Sequence, residues 1–427
     1  MSMEEPASAR LFDACAHVHD PRSANARHRL FDIFVIALCA VISGAEGWED
    51  MEEYGQAQAE WFQQFLELPH GIPSHDTFRR VLSRLKPDEQ TQCFVSWTEA
   101  LHESLDGEIV ALDGKTLRRS FDHAASKGAI HMVSAWANAH RLIVGQRKVD
   151  DKSNEITALP KLLRMLELEG AIVTIDAMGC QKEVAKTMTE QGADYVLALK
   201  DNHPTLHGEV QLLFEDVKAE RLDDITSERH TTIDADHGRL ETRHYWITSD
   251  IECFGVKGSW ANITSVGLVE SHREVGGEVS IEQRLFLTSL PCDAVRFAQA
   301  VREHWGVENA LHWVLEVSFR EDDCRIRQGH GAQNMAVLRH MALNLLRQEG
   351  GHKRGIKARR KRAGWDRDYL FKVLTGYAKC AYPGKLVLVL ALCYILFALG
   401  ALFHQRWAWG LGLGVSLVTG LIFLNLL

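Results

Sequence analysis

The chain has 427 residues, too many for one ordinary core, so two or three domains are expected. Its composition, 46% hydrophobic and 25% charged with 9 Pro, excludes wholesale disorder, and nine scattered cysteines without a C-x-x-C pair exclude a zinc framework or disulfide scaffold and suit a reducing cytosol. Net charge is −9, yet residues 351–385 hold 11 Lys/Arg against 2 Asp, a local +9 that leaves −18 on the rest, so a nucleic-acid partner must meet local patches rather than global charge.

Residues 1–28 read as a flexible N-terminus with no apolar h-region, so no signal peptide is expected. Residues 29–104 read as a helical N-terminal domain. Leu30 to Val41 is apolar on most sides and predicts a buried helix; Glu49 to Phe65 is amphipathic, with Met51, Tyr54, Trp61 and Phe65 on its apolar side. After a break at Leu66 to Pro73, Ser74 is the expected N-cap of a short helix, Asp76 to Leu85, carrying Arg79, Arg80 and Arg84. Helix, turn, basic helix is compatible with a DNA reader; a helical domain with a solvated basic face fits the same residues.

The pattern changes near residue 105, where an α/β plan begins. Ile109-Val110-Ala111-Leu112 is a short buried strand ending in Asp113-Gly114-Lys115; Met132 to Asn138 and Leu142 to Val149 are strand-like; Thr157 to Glu169 predicts a helix. Ala171 to Ile175 is a second buried strand ending in Asp176, followed by a helix over Lys182 to Gln191 and a third buried strand, Tyr195 to Leu199. Residues 228–290 revert to β, with strands at His244 to Thr248, Ile263 to Glu270 and Ile281 to Ser289, and read as an all-β insertion between two parts of the core, 105–227 and 291–350. A long helix from Asp293 to the mid-310s carries Glu308, and a basic segment occupies 351–385. Leu386 to Phe403 is 18 apolar residues without a charge and Trp407 to Leu427 adds 21 more, so 386–427 predicts a hydrophobic hairpin of two membrane-length helices. The basic flank would hold the remainder in the cytoplasm.

Asp113 and Asp176 each end a buried strand, where open α/β sheets place ligands. If the strands are neighbours, both carboxylates enter one crevice, where they repel unless a cation lies between them. Hard oxygen donors suit Mg²⁺ or Mn²⁺, and two such ions activate a hydroxyl and stabilise the leaving oxygen of a phosphodiester. Either Asp alone reads as well as a turn cap; the repetition around a crossover helix favours a site. A third carboxylate from a helix is offered by Glu308, with Glu303, Glu316, Glu321 and Asp322 as competitors that spacing does not exclude. On a regular helix Glu308 shares a face with His304, Leu311 and His312.

The segments Ala111 to Thr116, Lys152 to Ala158, Thr174 to Gln181 and Gly192 to Lys200, with His304-Trp305, Val307-Glu308-Asn309 and His312 to Leu315, resemble the DDE transposases of bacterial insertion sequences. The similarity is to the subfamily of H-repeat-associated proteins of Rhs elements and runs from about residue 28 to about 375. It implies an RNase H-like mixed sheet with flanking helices, interrupted by the β insertion, and a metal-binding catalytic triad of Asp113, Asp176 and Glu308, spaced by 63 and 132 residues. It implies cleavage at element ends and strand transfer into target DNA, with Mg²⁺ or Mn²⁺, as two ions, and a homodimer on double-stranded DNA. The wider class sets Tyr, Arg and Lys at −7, −4 and +7 from the Glu; here Val301, His304 and Leu315 stand there, which leaves the phosphate-gripping cations unassigned. Lys115, Arg118, Lys200, Arg325, Arg327, Arg359, Arg360 and Lys361 are the candidates for DNA contact, and Glu155 is a candidate support for the site. Trp246 and Trp260 read as core residues before base-stacking ones. A catalytically inactive DNA-binding relative and a membrane-anchored nuclease-like protein are the alternatives, and fusion or readthrough is the preferred origin of the 386–427 tail.

Overall fold

The computed structural model describes residues 26–375 apart from 103, 122–127, 151–154, 222–224, 237–238, 255–257 and 352, together with 11, 14 and 18–22. The expected flexible N-terminus lies largely, and the expected apolar hairpin at 386–427 wholly, outside the described residues, as do Lys152, Ser153 and Asn154.

Helix α1 (Leu30–Ser43) is buried along almost its whole length, as its unbroken apolar run requires. The amphipathic stretch after it is not one helix: α2 (Trp48–Ala57) and the short α3 (Ala59–Phe62) are separated at Gln58, whose backbone leaves the helical region. Ser74 stands at the N-cap of α4 (His75–Leu82), and Pro87 opens α5 (Pro87–Glu99).

The strands are β1 (Ile109–Leu117), β2 (Ile130–Ala137), β3 (Leu142–Lys148), β4 (Ile172–Ile175), β5 (Asp194–Leu199), β6 (Ser227–Asp236), β7 (Arg239–Thr248), β8 (Ser265–Val275) and β9 (Glu278–Thr288). They form one nine-stranded mixed sheet in the order β3-β2-β1-β4-β5-β9-β8-β7-β6. β1, β4 and β5 are parallel neighbours, and the remaining pairs are antiparallel. The segment expected as a separate β insertion is therefore continuous with the core sheet, because β9 pairs with β5 from Val196↔Thr288 to Leu199↔Leu285. Gly276 and Gly277, both at positive φ, make the tight turn between β8 and β9.

Helices cover both faces. On one lie α6 (Glu155–Leu163), α7 (Lys182–Glu190) and α8 (Pro204–Lys218), packed on Val110, Leu112, Val133, Val173, Leu197, Trp246 and Leu268. The helix expected over Thr157 to Glu169 ends at Leu163. On the other lie α9 (Ala294–His304), a π-helical segment (Val307–His312), α10 (Trp313–Phe319) and α11 (Gly331–Gln348). The expected long helix from Asp293 is thus interrupted. The basic segment that follows forms α12 (Ile356–Trp365) and α13 (Arg367–Thr375).

Helix α11 is buried from Gly331 to Leu346 despite Gln333, Asn334, Arg339, His340 and Asn344. Its two asparagines act as clamps. Asn334 donates to the carbonyls of Leu82 and Leu85 at the end of α4, at 2.7 and 3.0 Å. Asn344 accepts from the Ile143 N–H at 3.0 Å and donates to the Ile143 carbonyl at 2.9 Å, closing both backbone groups of an edge strand. No described helix is alone long and apolar enough to cross a membrane.

Asn344→Leu leaves two buried backbone groups of β3 unpaired, each costing ~1–3 kcal/mol, and the midpoint of urea unfolding should fall accordingly. An unchanged midpoint would remove the clamp from this account. Burial pushes the His340 imidazole down to about 3. Below the ordinary value near 6.5 the unfolded chain takes up a proton that the native chain refuses, so stability falls with pH by up to about 1.4 kcal/mol per unit from this residue. His340→Leu should flatten that slope between pH 6.5 and 4.

Candidate active site

Parallel pairing of β1 with β4 sets Leu112 opposite Ile175, so the next residue of each chain segment is an aspartate, Asp113 and Asp176. Strand alternation turns Ile109, Ala111 and Asp113 toward the α9 side of the sheet, and Val110, Leu112 and Gly114 toward α6. Asp176 has left its strand and caps the turn Ala177–Gly179, accepting from the N–H groups of Met178 and Gly179 at 3.1 and 3.4 Å. Asp113 accepts from the Gly114 N–H at 2.8 Å and faces His312 Nδ1 at 3.4 Å.

The two carboxyls are driven in opposite directions. Burial pushes Asp113 up, but the bond and charge of His312 with the Gly114 N–H outweigh it and leave the group below the ordinary carboxylate value. Burial raises Asp176, and the charges of Asp113 and Glu155 add to the rise against the Gly179 N–H. His304 packs beside both aspartates with Nδ1 3.0 Å from the Thr174 hydroxyl, and burial holds its imidazole below the usual value. His304 stands where the wider class has an arginine, so a neutral ring takes the place of a fixed cation.

Glu308 sits in the π-helical segment and its side chain is exposed. The regular helix expected to carry Glu308 is interrupted here by a π turn. His312 meets Asp113, and no hydrogen bond or ion pair joins Glu308 to either aspartate. Gly306 lets this segment lie close against Asn138, and Arg347 of α11 takes the Ala310 carbonyl. Glu155, at the start of α6, accepts from His131 Nε2 on β2 and lies over Gly114.

The expected DNA-contacting cations divide. Lys115 is directed inward, 3.4 Å from both Glu321 and Asp322, and Arg118 Nε lies 3.3 Å from Asp322. Arg327 donates to the Arg119 carbonyl at 3.2 Å and lies over the Phe121 ring. Arg360 is a correction: it is 5% exposed, donates to the carbonyls of Ser318 and of Val41 (2.8 Å), and stacks on Phe319, so it is a buried helix cap. Half-buried Arg359 donates to the carbonyls of Leu346 and Glu349 at 2.7 and 2.8 Å, closing the end of α11. Lys200, Arg325 and Lys361 are exposed. Trp246 and Trp260 are buried core residues. His131, His304 and His312 are site residues the sequence did not single out for these contacts.

The all-oxygen donors of Asp113 and Asp176, adjacent and mutually repelling, fit a hard divalent cation. Among the described residues no group of three His, Cys, Asp or Glu side chains already converges as a metal-ligand set.

A family model described as "Transposase DDE domain" matches residues 104–345, and one described as "DDE_Tnp_1-associated" matches residues 12–98. The chain is 40% identical over 356 residues to the "H repeat-associated putative transposase YhhI" of Escherichia coli (strain K12), covering 82% of this chain and 93% of that one. It is 46% identical over 282 residues, 65% of this chain and 93% of the relative, to the "Uncharacterized protein in dhlA 3'region" of Xanthobacter autotrophicus. Over 59 residues, 14% of this chain and 70% of the relative, it is 49% identical to the "Inactive transposase YbfQ" of Escherichia coli (strain K12).

The division among the cations is measurable. Arg360→Met orphans carbonyls at two helix ends and should lower stability by ~2–4 kcal/mol, read by chemical unfolding. Lys361→Ala should leave stability within about 0.5 kcal/mol. Equal effects of the two substitutions would contradict the assignment.

Proposed function

The chain belongs to the family of transposases with a DDE domain, and we propose from that premise that it cuts DNA at the ends of an insertion sequence and joins the freed ends to target DNA. The observation that carries this reading is the register-adjacent pair Asp113 and Asp176, on neighbouring parallel strands and pushed apart in acidity. The strand order β3-β2-β1-β4-β5, with β1, β4 and β5 parallel, supports an RNase H-like core extended by β6 to β9.

In this reading Asp113 and Asp176 hold Mg²⁺ or Mn²⁺, as two ions, with Glu308 supplying a third carboxylate. The bound cation supplies Lewis acidity for attack by water or a 3′-hydroxyl on a phosphodiester. His312 and the Gly114 N–H keep Asp113 ionised and oriented, and the Met178 and Gly179 N–H groups orient Asp176. His304, neutral and held by Thr174, fills the space beside the acids without adding a competing positive charge. Exposed Lys200, Arg325 and Lys361 are left to meet phosphates. Handling two element ends requires two active sites, hence a homodimer on DNA.

One observation favours a second reading, an inactive relative that binds DNA: the exposed Glu308 makes no bond to the aspartates.

Full-length protein incubated with DNA carrying the element ends should cut in Mg²⁺ or Mn²⁺ and not in chelator. Asp113→Asn, Asp176→Asn and Glu308→Gln should each reduce cutting by at least about a hundredfold. Cutting that survives chelation would sink the metal-dependent reading, and retention of activity by Glu308→Gln alone would remove that residue from the triad. Sequence-specific binding without cutting would establish the inactive relative.

A further inference from the structure

Glu155 is held by more than its position at the start of α6. Its Oε1 is bonded to His131 Nε2, and the other ring nitrogen, Nδ1, lies 2.8 Å from the Thr116 hydroxyl of β1. A carboxylate only accepts, so Nε2 carries the proton to Glu155 and the Thr116 hydroxyl donates to Nδ1. Beneath the carboxylate lies Gly114, the residue after Asp113; a Cβ there would land on Glu155 Oε1 and on His131 Nε2. A glycine with nothing above its α-carbon, an oriented imidazole and a hydroxyl behind it therefore fix one carboxylate beside the ends of β1 and β4.

This chain of contacts lies outside the packed core. Thr116 is exposed, and His131 and Glu155 are half-buried. What the arrangement does is bring a third carboxylate to two others: α6, whose Leu159 lies against Gly179 in the turn that Asp176 caps, carries Glu155 to the sheet end where Asp113 and Asp176 stand side by side. Fixing like charges together opposes folding, and a hard cation is the partner that reverses the sign of that interaction.

We propose that Glu155 is a further carboxylate ligand of the divalent cation, shared with Asp176 and reaching it from the α6 side of the sheet. Asp113, by strand alternation, serves the α9 side, where Glu308 also lies, so the two glutamates are not alternatives for one position. His131 and Thr116 are positioning residues for Glu155. The inference rests on the metal-dependent reading above.

The test is Mn²⁺ binding to the full-length protein without DNA, followed by titration calorimetry, with metal-free thermal unfolding alongside. Glu155→Gln and Asp176→Asn should each weaken Mn²⁺ binding by at least about tenfold. The Glu155→Gln protein should unfold without metal no earlier than the wild type, since one repelling charge has gone. Gly114→Ala, which keeps the carboxylate and obstructs its seat, should weaken binding as well. Mn²⁺ affinity equal to wild type in both Glu155→Gln and Gly114→Ala, with affinity lost in Asp176→Asn, would overturn the role of Glu155 and leave the metal reading standing. If Glu155→Gln unfolds early, Gly114→Ala decides: normal affinity there overturns the proposal, and weakened affinity supports it. A wild-type protein that binds no Mn²⁺, or retains it in both Asp113→Asn and Asp176→Asn, would defeat the metal reading and this inference together.

Discussion

Everything at the candidate site depends on the parallel pairing of β1 with β4. Four registered pairs, ending at Leu112↔Ile175, oblige the chain to place Asp113 and Asp176 side by side as the sheet runs out. A parallel pair cannot be closed by a tight turn, so the intervening sequence must cross over, and here it does so through β2, β3 and α6. The crossover is not inert connection. It carries His131 on β2 and Glu155 at the head of α6 back to the same sheet end. One backbone constraint thus assembles both aspartates and the acid beside them.

The opposite sheet face is organised by α11, and its logic is polar. A helix buried on all sides ordinarily has an all-apolar sequence. This one buries Asn334 and Asn344 because each amide closes backbone groups that secondary structure left open, at the end of α4 and on β3. The helical N-terminal region is consequently joined to the mixed sheet through a shared helix. Arg347 on the same helix takes the Ala310 carbonyl, so α11 also steadies the π-helical segment that bears Glu308.

What the sequence disclosed follows from how local the signal was. Val110 to Asp113 and Val173 to Asp176 were readable because an apolar run ending in an acid needs no distant partner to interpret. The β character of 228–290 was equally local, whereas its continuity with the core was not, since that depends on β9 reaching β5 across some ninety residues. Helix α11 was hidden by the amides and by Arg339 and His340, whose partners lie elsewhere in the chain. Arg360 looked like a phosphate ligand because its actual acceptors, Val41 and Ser318, are remote in sequence. The π turn that carries Glu308 interrupts an otherwise helical pattern, and nothing local in Val307 to His312 announces it.

The remaining tension is electrostatic. A DNA-cutting reading asks for cations at the strand ends, yet Lys115 and Arg118, which follow Asp113 on the chain, are paired with Glu321 and Asp322 from the loop after α10. Glu321 is itself buried against Arg339, 3.8 Å away, so this loop is fixed by charge on both sides. Free ammonium groups beside Asp113 would compete with a divalent cation for the same carboxylates, and pairing them with the loop acids removes that competition. In the metal-dependent reading the same economy applies to His304: burial disfavours a charge on this ring, which leaves the charge of the two aspartates for a cation, where an arginine would have partly satisfied it. In the metal-dependent reading the acids at the strand ends are left for the cation, and contact with the DNA backbone falls to exposed cations such as Lys200, Arg325 and Lys361.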